Sequence, residues 1–374
     1  MAIEVVPVRS KRDLRRFIKF PWTVYRNDPN WVPPLISEMK KFLDPNKNPF
    51  FEHADVELFL AEEDDRVLGR IAAIVNHNHI ELHDEQAGFF GFFEVLDRYE
   101  VAERLLATAC DWLRNRGMEI ARGPANFSSN DEWALLIEGF DEPPVVMMPY
   151  NPKYYIDFLE RFGFKKAKDL FAYVITEEDL PEKLVNLINW IEVIKRRKGI
   201  TIRKGNMKAF DQEVEIIKEI YNSAWEKNWG FVPMTDREVQ HLASNLRRII
   251  DPDFAFFAEI GGEPVGFALS IPDINQALIR INGRLFPFGI FKLLWASRKI
   301  DTLRFILIGT KASYRNMGIN ALFYYEMFHA GQKKGYKKAD FSWVLEDNTV
   351  VTSILEKTGS KIKKKYRVYD FQLH

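Results

Sequence analysis

Lys311, Arg315 and Gly318 stand in a short basic loop between an apolar strand around Ile306 and an amphipathic helix that starts near Ile319. A strand–loop–helix of this kind turns backbone N–H groups and a helix N-terminus toward one point, which binds a phosphate anion without a dedicated side chain. Glycine at 318 matters because a side chain there would hold the backbone away from the anion. A second set of polar groups, Asn126, Asn130, Glu132, Tyr150 and Asn151, falls in stretches rich in Gly, Pro, Asn and Ser. Irregular loops of that composition often carry binding groups on a rigid scaffold, here as an acceptor pocket with Glu132 as a base. The same side chains would equally serve to satisfy the loops' own backbone. His79 and His83 are spaced to meet on one helical turn, with His77 beside them. No fourth ligand is indicated, so no metal is expected.

The elements that must hold these groups occur twice. Leu58–Glu62 and Val67–Ala73 read as a β-hairpin, repeated by Ala255–Glu259 and Pro264–Leu269 with its turn at Gly261-Gly262. The matching glycines, Gly69 and Gly266, are 197 apart (266 − 69). Helices carrying Ala102, Leu105, Leu106, Ala109 and Leu113, and Ile319, Leu322, Phe323, Met327 and Ala330, show one buried face and stop at Gly117 and Gly335. Leu159–Gly163 recurs as Leu355–Gly359, and each copy ends in an aromatic strand. The helix landmarks are farther apart, 218 (335 − 117), which places one insertion near 281–304 and a second near 124–152. The expected division is a first domain over 1–176, a helical linker over 177–199 and a second domain over 200–374.

Composition sets outer bounds. A chain of 374 residues is too long for one ordinary core. Lys+Arg (53) balances Asp+Glu (53), so no overall field draws it to nucleic acid, and no nucleic-acid partner is expected. The single Cys110 rules out an intrachain disulfide and lies beside a buried helix face. The first residues lack a basic region followed by an apolar core, and no apolar run is long enough to span a bilayer. A cytoplasmic protein is expected, with a peripheral membrane contact as a further expectation below.

Arg315-x-x-Gly318-x-Asn320 resembles the pyrophosphate loop of the Gcn5-related N-acetyltransferase (GNAT) superfamily, Arg/Gln-x-x-Gly-x-Gly/Ala, at two of three fixed positions. Hairpin, strand, loop, helix, strand, helix, strand is the GNAT order, so nearly the whole chain resembles a tandem GNAT protein. The resemblance implies an α/β (α+β) fold of two domains, each a mixed, mostly antiparallel sheet flanked by helices. It implies acetyl-CoA or acyl-CoA as cosubstrate, with the backbone of Leu307, Ile308 and Gly309 pairing with the pantetheine arm. Lys311, Arg315, Asn316, Met317, Gly318, Ile319 and Asn320 would hold the pyrophosphate, with Asn320 either crowding the phosphate or capping the helix. Asn348 lies in the segment that flanks the thioester. Glu346 and Asp347 are then the first candidates for the base that takes the amine proton. The tyrosine that protonates the thiolate in many members is Leu355 here, leaving Tyr324, Tyr325 and Tyr366 as substitutes. The corresponding loop of the first copy, Glu94–Glu103, has no glycine and several carboxylates, so that copy reads as degenerate. Acyl-CoA-dependent N-acyltransfer to an unidentified amine is the leading expectation. A Fem-type aminoacyl transferase and a non-catalytic acyl-CoA-binding module are the alternatives.

The run Arg284–Ile300 is short, strongly apolar and flanked by cations. Such a run lies in a membrane interface, lines an acyl channel, or forms a buried helix. The first two readings imply a lipid-like amine acceptor and a membrane contact through 284–300.

Overall fold

The computed structural model describes residues 2–179, 193, 195–226, 228–247 and 249–374. Most of the expected linker, 177–199, lies outside the described residues. In the first copy, β1 (Glu4–Pro7), α1 (Lys11–Lys19) and α2 (Ile36–Phe42) precede the hairpin β2 (Ala54–Glu63) and β3 (Arg66–Asn76). α3 (His77–His83), β4 (Ala87–Val95), α4 (Tyr99–Arg114), β5 (Ile120–Gly123), β6 (Leu135–Glu138), α5 (Tyr154–Phe162) and β7 (Lys165–Thr176) follow. The second copy starts with β8 (Ile200–Lys204), α6 (Phe210–Trp225), α7 (Asp236–Leu246), β9 (Ala255–Ile260) and β10 (Glu263–Pro272). It continues through α8 (Gly289–Ser297), β11 (Thr302–Thr310), α9 (Ile319–Lys333), β12 (Lys338–Leu345), α10 (Thr349–Lys357) and β13 (Lys361–Gln372).

The two hairpins turn alike by different chemistry. Asp64 and Asp65 have φ of 52° and 61°, and Gly261 and Gly262 have 61° and 84°. Both pairs put two positive-φ residues at the tip, the geometry whose twist matches the flanking strands. Gly69 pairs with Val95, and Gly266 pairs with Thr310. A Cβ on Gly69 would lie 2.6 Å from Leu105 Cδ1, and one on Gly266 would meet Ile319 and Phe323 at 3.2 and 3.3 Å. The repeated glycine thus admits the repeated helix. That pairing moves the offset to 215 (310 − 95), which puts the first insertion between β10 and β11 as expected.

The compact units are not contiguous in sequence. Met1–Leu170, Asn275–Ala296 and Lys364–His374 form one, and Phe171–Ile274 with Ser297–Lys363 form the other. The first carries the strand order β1-β2-β3-β4-β5-β13, with β6 also on β13. The second carries β7-β12-β11-β10-β9-β8. This departs from the simple division at 176 and 200. The reason lies in side chains: Tyr369–Gln372 pair antiparallel with Ile120–Gly123, and Arg122 binds Asp370 through Nε and Nη2, both at 2.8 Å. In the first unit the α4 stripe of Val101, Leu105, Ala109 and Leu113 is buried with Ile71 and Ala73 of β3. Cys110 is part of that core, and burial pushes its thiol up to about 12. In the second unit, Ile319, Leu322, Phe323 and Met327 of α9 pack on Val265, Ala268 and Phe256. Among the described residues, no helix is long and apolar enough to cross a membrane.

Candidate functional site

In the second unit β11 and β12 run parallel for only three pairs, Thr302–Lys338, Leu303–Ala339 and Arg304–Asp340. Beyond them the strands part, and a cleft of about 680 Å³, counting solvent at its mouth, fills the gap. Phe305, Ile306 and Ile308 line one side, and Phe341 to Leu345 line the other. Part of the shape comes from a bulge: Leu269 pairs with Leu307 and Ser270 with Phe305, so Ile306 drops out of the ladder. Helix α9 buries Leu322, Phe323 and Met327 while Asn320 and Tyr324, one turn apart, line the cleft. Trp225, Asn228, Asn348, Val351 and Leu355 complete it.

The loop from β11 to α9 has the features an anion site needs. Gly318, φ 82°, precedes the helix with no side chain capping the first turn. Ala321 and Leu322 N–H donate back to its carbonyl at 3.1 and 3.3 Å. The flanking cations are already engaged. Lys311 Nζ lies 2.7 Å from Glu219 and 3.0 Å from Glu263, and the Glu219 hydrogen bond leads in raising its pKa. Arg315 donates to the Ala224 carbonyl at 2.9 Å. Asn320 does not cap the helix, a role that falls to Gly318; its Oδ1 accepts from Thr310 Oγ1 at 2.9 Å. Ile319 is a core side chain, 1 % exposed, so any share in the loop is through its backbone. Met317 is half-buried against the same core. Asn316 belongs to the 3-10 turn Ala312–Met317.

Leu307, Ile308 and Gly309 all lie on β11 beside the cleft or in its ladder. A Cβ at Gly309 would lie 2.5 Å from Trp225, so glycine is needed there to admit that ring. Asn348 caps α10 by accepting from Val351 N–H at 3.3 Å and also lines the cleft. Glu346, half-buried, and Asp347, exposed, fill the turn between Leu345 and Asn348. Of the three tyrosines, Tyr324 lines the cleft, Tyr325 packs on His329 with ring centroids 4.3 Å apart, and Tyr366 is buried in the first unit. Leu355 also lines the cleft. Desolvation holds the Tyr324 phenol above its usual range.

The first unit repeats the parting strands: β4 and β5 pair only from Ala87–Ile120 to Phe89–Arg122. Here the chain fills its own gap. Ala125 N–H donates to the Phe90 carbonyl at 2.8 Å, and Phe92 N–H donates to Asn126 Oδ1 at 2.7 Å. A Cβ on Gly91 would lie 1.7 Å from the Ala125 oxygen. Asn126 Nδ2 donates to Glu132 at 2.8 Å, so this pair, expected at an acceptor pocket, staples the loop. Asn151 is buried and clamps the Leu136 N–H and carbonyl at 2.7 and 3.2 Å. Asn130 N–H donates to Ser128 Oγ, and Tyr150 donates to Asp28 at 2.9 Å.

Sequence reading passed over Glu94, the penultimate residue of β4. Tyr25 and Tyr155 hydroxyls each donate to its Oε2 at 2.9 Å, and Arg70 stands 3.8 Å away. Burial lifts this carboxyl to about 7 against the pull of Arg70. Trp225, the last residue of α6, and Asn228, just past it, were also unforeseen, since they lie far from any motif. Among the histidines, His79 is buried, 3.3 Å from Glu85, and desolvation lowers its pKa. Among the described residues no group of three His, Cys, Asp or Glu is placed to hold a metal.

No family model matches the chain. It is 38% identical over 98% of its length to the bacterial ceramide synthase of Caulobacter vibrioides, covering 97% of that protein. It is 35% identical over 97% of its length to the protein YghO of Escherichia coli, covering 94% of it. A tandem GNAT protein from the clavulanic acid biosynthesis pathway superposes over 100% of this chain and 99% of its own, with TM-score 0.60 at 9% identity. A GCN5-related N-acetyltransferase from Sphaerobacter thermophilus superposes over 100% and 96%, with TM-score 0.53 at 13% identity.

Proposed function

The chain is a GNAT-fold acyltransferase of the family that the Caulobacter bacterial ceramide synthase and the protein YghO also belong to, and from that premise we propose that it transfers an acyl group from acyl-CoA to a long-chain amine. The observation that carries this reading is the β11–β12 cleft of the second unit, open between parted strands and ending at the uncapped start of α9. Backbone around Leu307–Gly309 would receive the pantetheine arm. The Gly318–Asn320 turn would receive the diphosphate, with Arg315 and Lys311 beside it. The apolar wall of Phe305, Ile306, Phe341 and Val344 suits an acyl chain.

The reaction requires the amine nitrogen to attack the thioester carbonyl, the amine proton to reach a base, and the sulfur to leave as thiol. Glu346 and Asp347 are assigned as bases, because among the described residues no carboxylate lines the cleft itself and this turn joins two residues that do. Glu132, held by Asn126 in the first unit, is the weaker assignment. Tyr324 is assigned as the acid: its raised pKa keeps the phenol protonated at working pH, and Leu355 cannot donate. The relative's name denotes formation of a ceramide, the amide of a fatty acid with a long-chain amino alcohol, which favours a lipid-like amine met at a membrane surface. The test is thiol release from palmitoyl-CoA and acetyl-CoA against long-chain 2-amino alcohols, with the amide identified by mass spectrometry. Release with the palmitoyl donor and such an acceptor is expected. Tight acyl-CoA binding with no amide from any amine would favour a binding protein instead.

A further inference from the structure

Among the described residues, all but Leu82 of the exposed large apolar side chains of the first unit gather in one segment. Phe286 is 87% exposed, Phe288 70% and Phe291 68%, and Leu294 and Trp295 exceed half. On α8, Ile290, Phe291, Leu294 and Trp295 follow i, i+1, i+4, i+5 spacing, so a helix face normally turned to a core meets solvent. The segment is anchored at its base. Trp22 Nε1 donates to Asn282 Oδ1 at 2.6 Å, and Ile36 N–H donates to the Gly283 carbonyl at 3.1 Å. Gly283, φ 70°, has no room for a Cβ, which would fall 2.5 Å from the Pro34 oxygen. Ile290 N–H closes the tip on the Leu285 carbonyl at 2.8 Å, and Gly289 approaches Arg284 so closely that a Cβ would sit 1.9 Å from its oxygen.

Cations stand near the base of this segment. Arg15, Arg284 and Lys40 are exposed and near enough to the Lys19 ammonium to act on its charge, and Arg15, then burial, then Arg284 and Lys40 lower its pKa. Arg284, two residues before Phe286, joins this group of like charges to the aromatic segment. Lys292 adds a further exposed cation on α8. A protein partner would need a matching concave apolar face, whereas an anionic bilayer supplies both the negative surface and the apolar layer beneath it.

We infer that Phe286–Trp295, with Arg15, Lys19, Lys40 and Arg284 near its base, docks the protein on an anionic lipid surface. The insertion wedges aromatic rings among acyl chains while the cations meet head-group phosphates. The proposed function gives this docking its use, but binding itself requires no turnover. The two therefore fail separately: lost vesicle binding leaves transfer to a detergent-dispersed amine intact, and absent transfer leaves vesicle binding intact.

The test is cosedimentation of the full chain with phosphatidylcholine vesicles, with and without phosphatidylglycerol. Binding should require the anionic lipid and weaken with added salt. Arg284→Glu and Lys40→Glu should each weaken it about five-fold or more. Phe286→Ser and Phe291→Ser should each weaken it about ten-fold, with unchanged melting because these side chains are exposed. Equal affinity for neutral vesicles, or binding that survives the Phe substitutions, would overturn the inference. So would sedimentation equilibrium showing a dimer that Phe286→Ser dissolves while vesicles go unbound.

Discussion

Tyr324 sits one helical turn after Asn320, and both side chains reach the cleft that β11 and β12 leave open. Replacing it by Phe keeps the ring packing on Phe341 and Phe305 and removes only the proton. Tyr324→Phe should lower kcat for amide formation by about 10²-fold with little change in acyl-CoA affinity by calorimetry; equal loss in both would make it a packing residue. Glu94 gives a second prediction. Its folded pKa of about 7 exceeds the ordinary carboxyl value, so protonation favours the folded state. The stability it confers is full below about pH 4.5 and is lost as pH rises through 7, by roughly 3 kcal/mol at the outside. Glu94→Gln, which stays neutral, should therefore melt higher relative to wild type as pH rises from 5 to 8; parallel curves would count against the raised pKa. Legibility at this scale was uneven. The need for glycine at 318 was legible and its φ of 82° agrees with it, whereas nothing in the sequence set Tyr324 apart from Tyr325 and Tyr366. Glu94 counted only as one of the carboxylates of the Glu94–Glu103 loop, since nothing local shows that Tyr25 and Tyr155 converge on it from distant segments.

Elements were clearer than side-chain roles because their signals are periodic. Both hairpins, both buried-stripe helices and their glycine stops at Gly117 and Gly335, φ 77° and 82°, follow from spacing alone. What spacing does not encode is the partner of a strand. Strand β13 finds β5 through Arg122, which donates to Glu85 at 2.8 and 2.9 Å and to Asp370 at 2.8 Å while only 6% of its side chain is exposed. Arg122→Ala would strand two carboxylates and should destabilise the protein by about 3 kcal/mol in urea unfolding at neutral pH. Glu85 is held near a pKa of about 2, the His79 hydrogen bond leading and Arg122 adding to it. A depressed carboxyl contributes above its unfolded pKa and loses that contribution as pH falls from about 4.5 toward 2. The gap between wild type and Arg122→Ala should narrow over that window, and a gap independent of pH would show the network to be inert.

At the scale of the molecule, the repeat sets up two similar runs of strands and then assigns their last strands unexpectedly. The final segment, Lys364–His374, belongs to the unit that begins at the N-terminus, and Phe171–Thr176, which ends the first copy, opens the other. An internal duplication read along the chain predicts two contiguous halves, because periodicity records which segments are alike and is silent on which of two similar sheets a strand joins. The consequence is a long-range dependence that can be measured. Deleting Lys364–His374 removes the partner of Ile120–Gly123 on β5 and of Leu135, Leu136 and Glu138 on β6, together with the Asp370 carboxylate under Arg122. Backbone N–H groups of β5 and β6 would then lack ladder partners. Hydrogen exchange of the truncated chain should show lost protection across β5 and β6, while β9 and β10, which pair with each other and with β8 and β11, keep theirs. Loss confined to the second unit, or spread evenly through both, would refute the exchange of terminal strands as the device that completes the first unit.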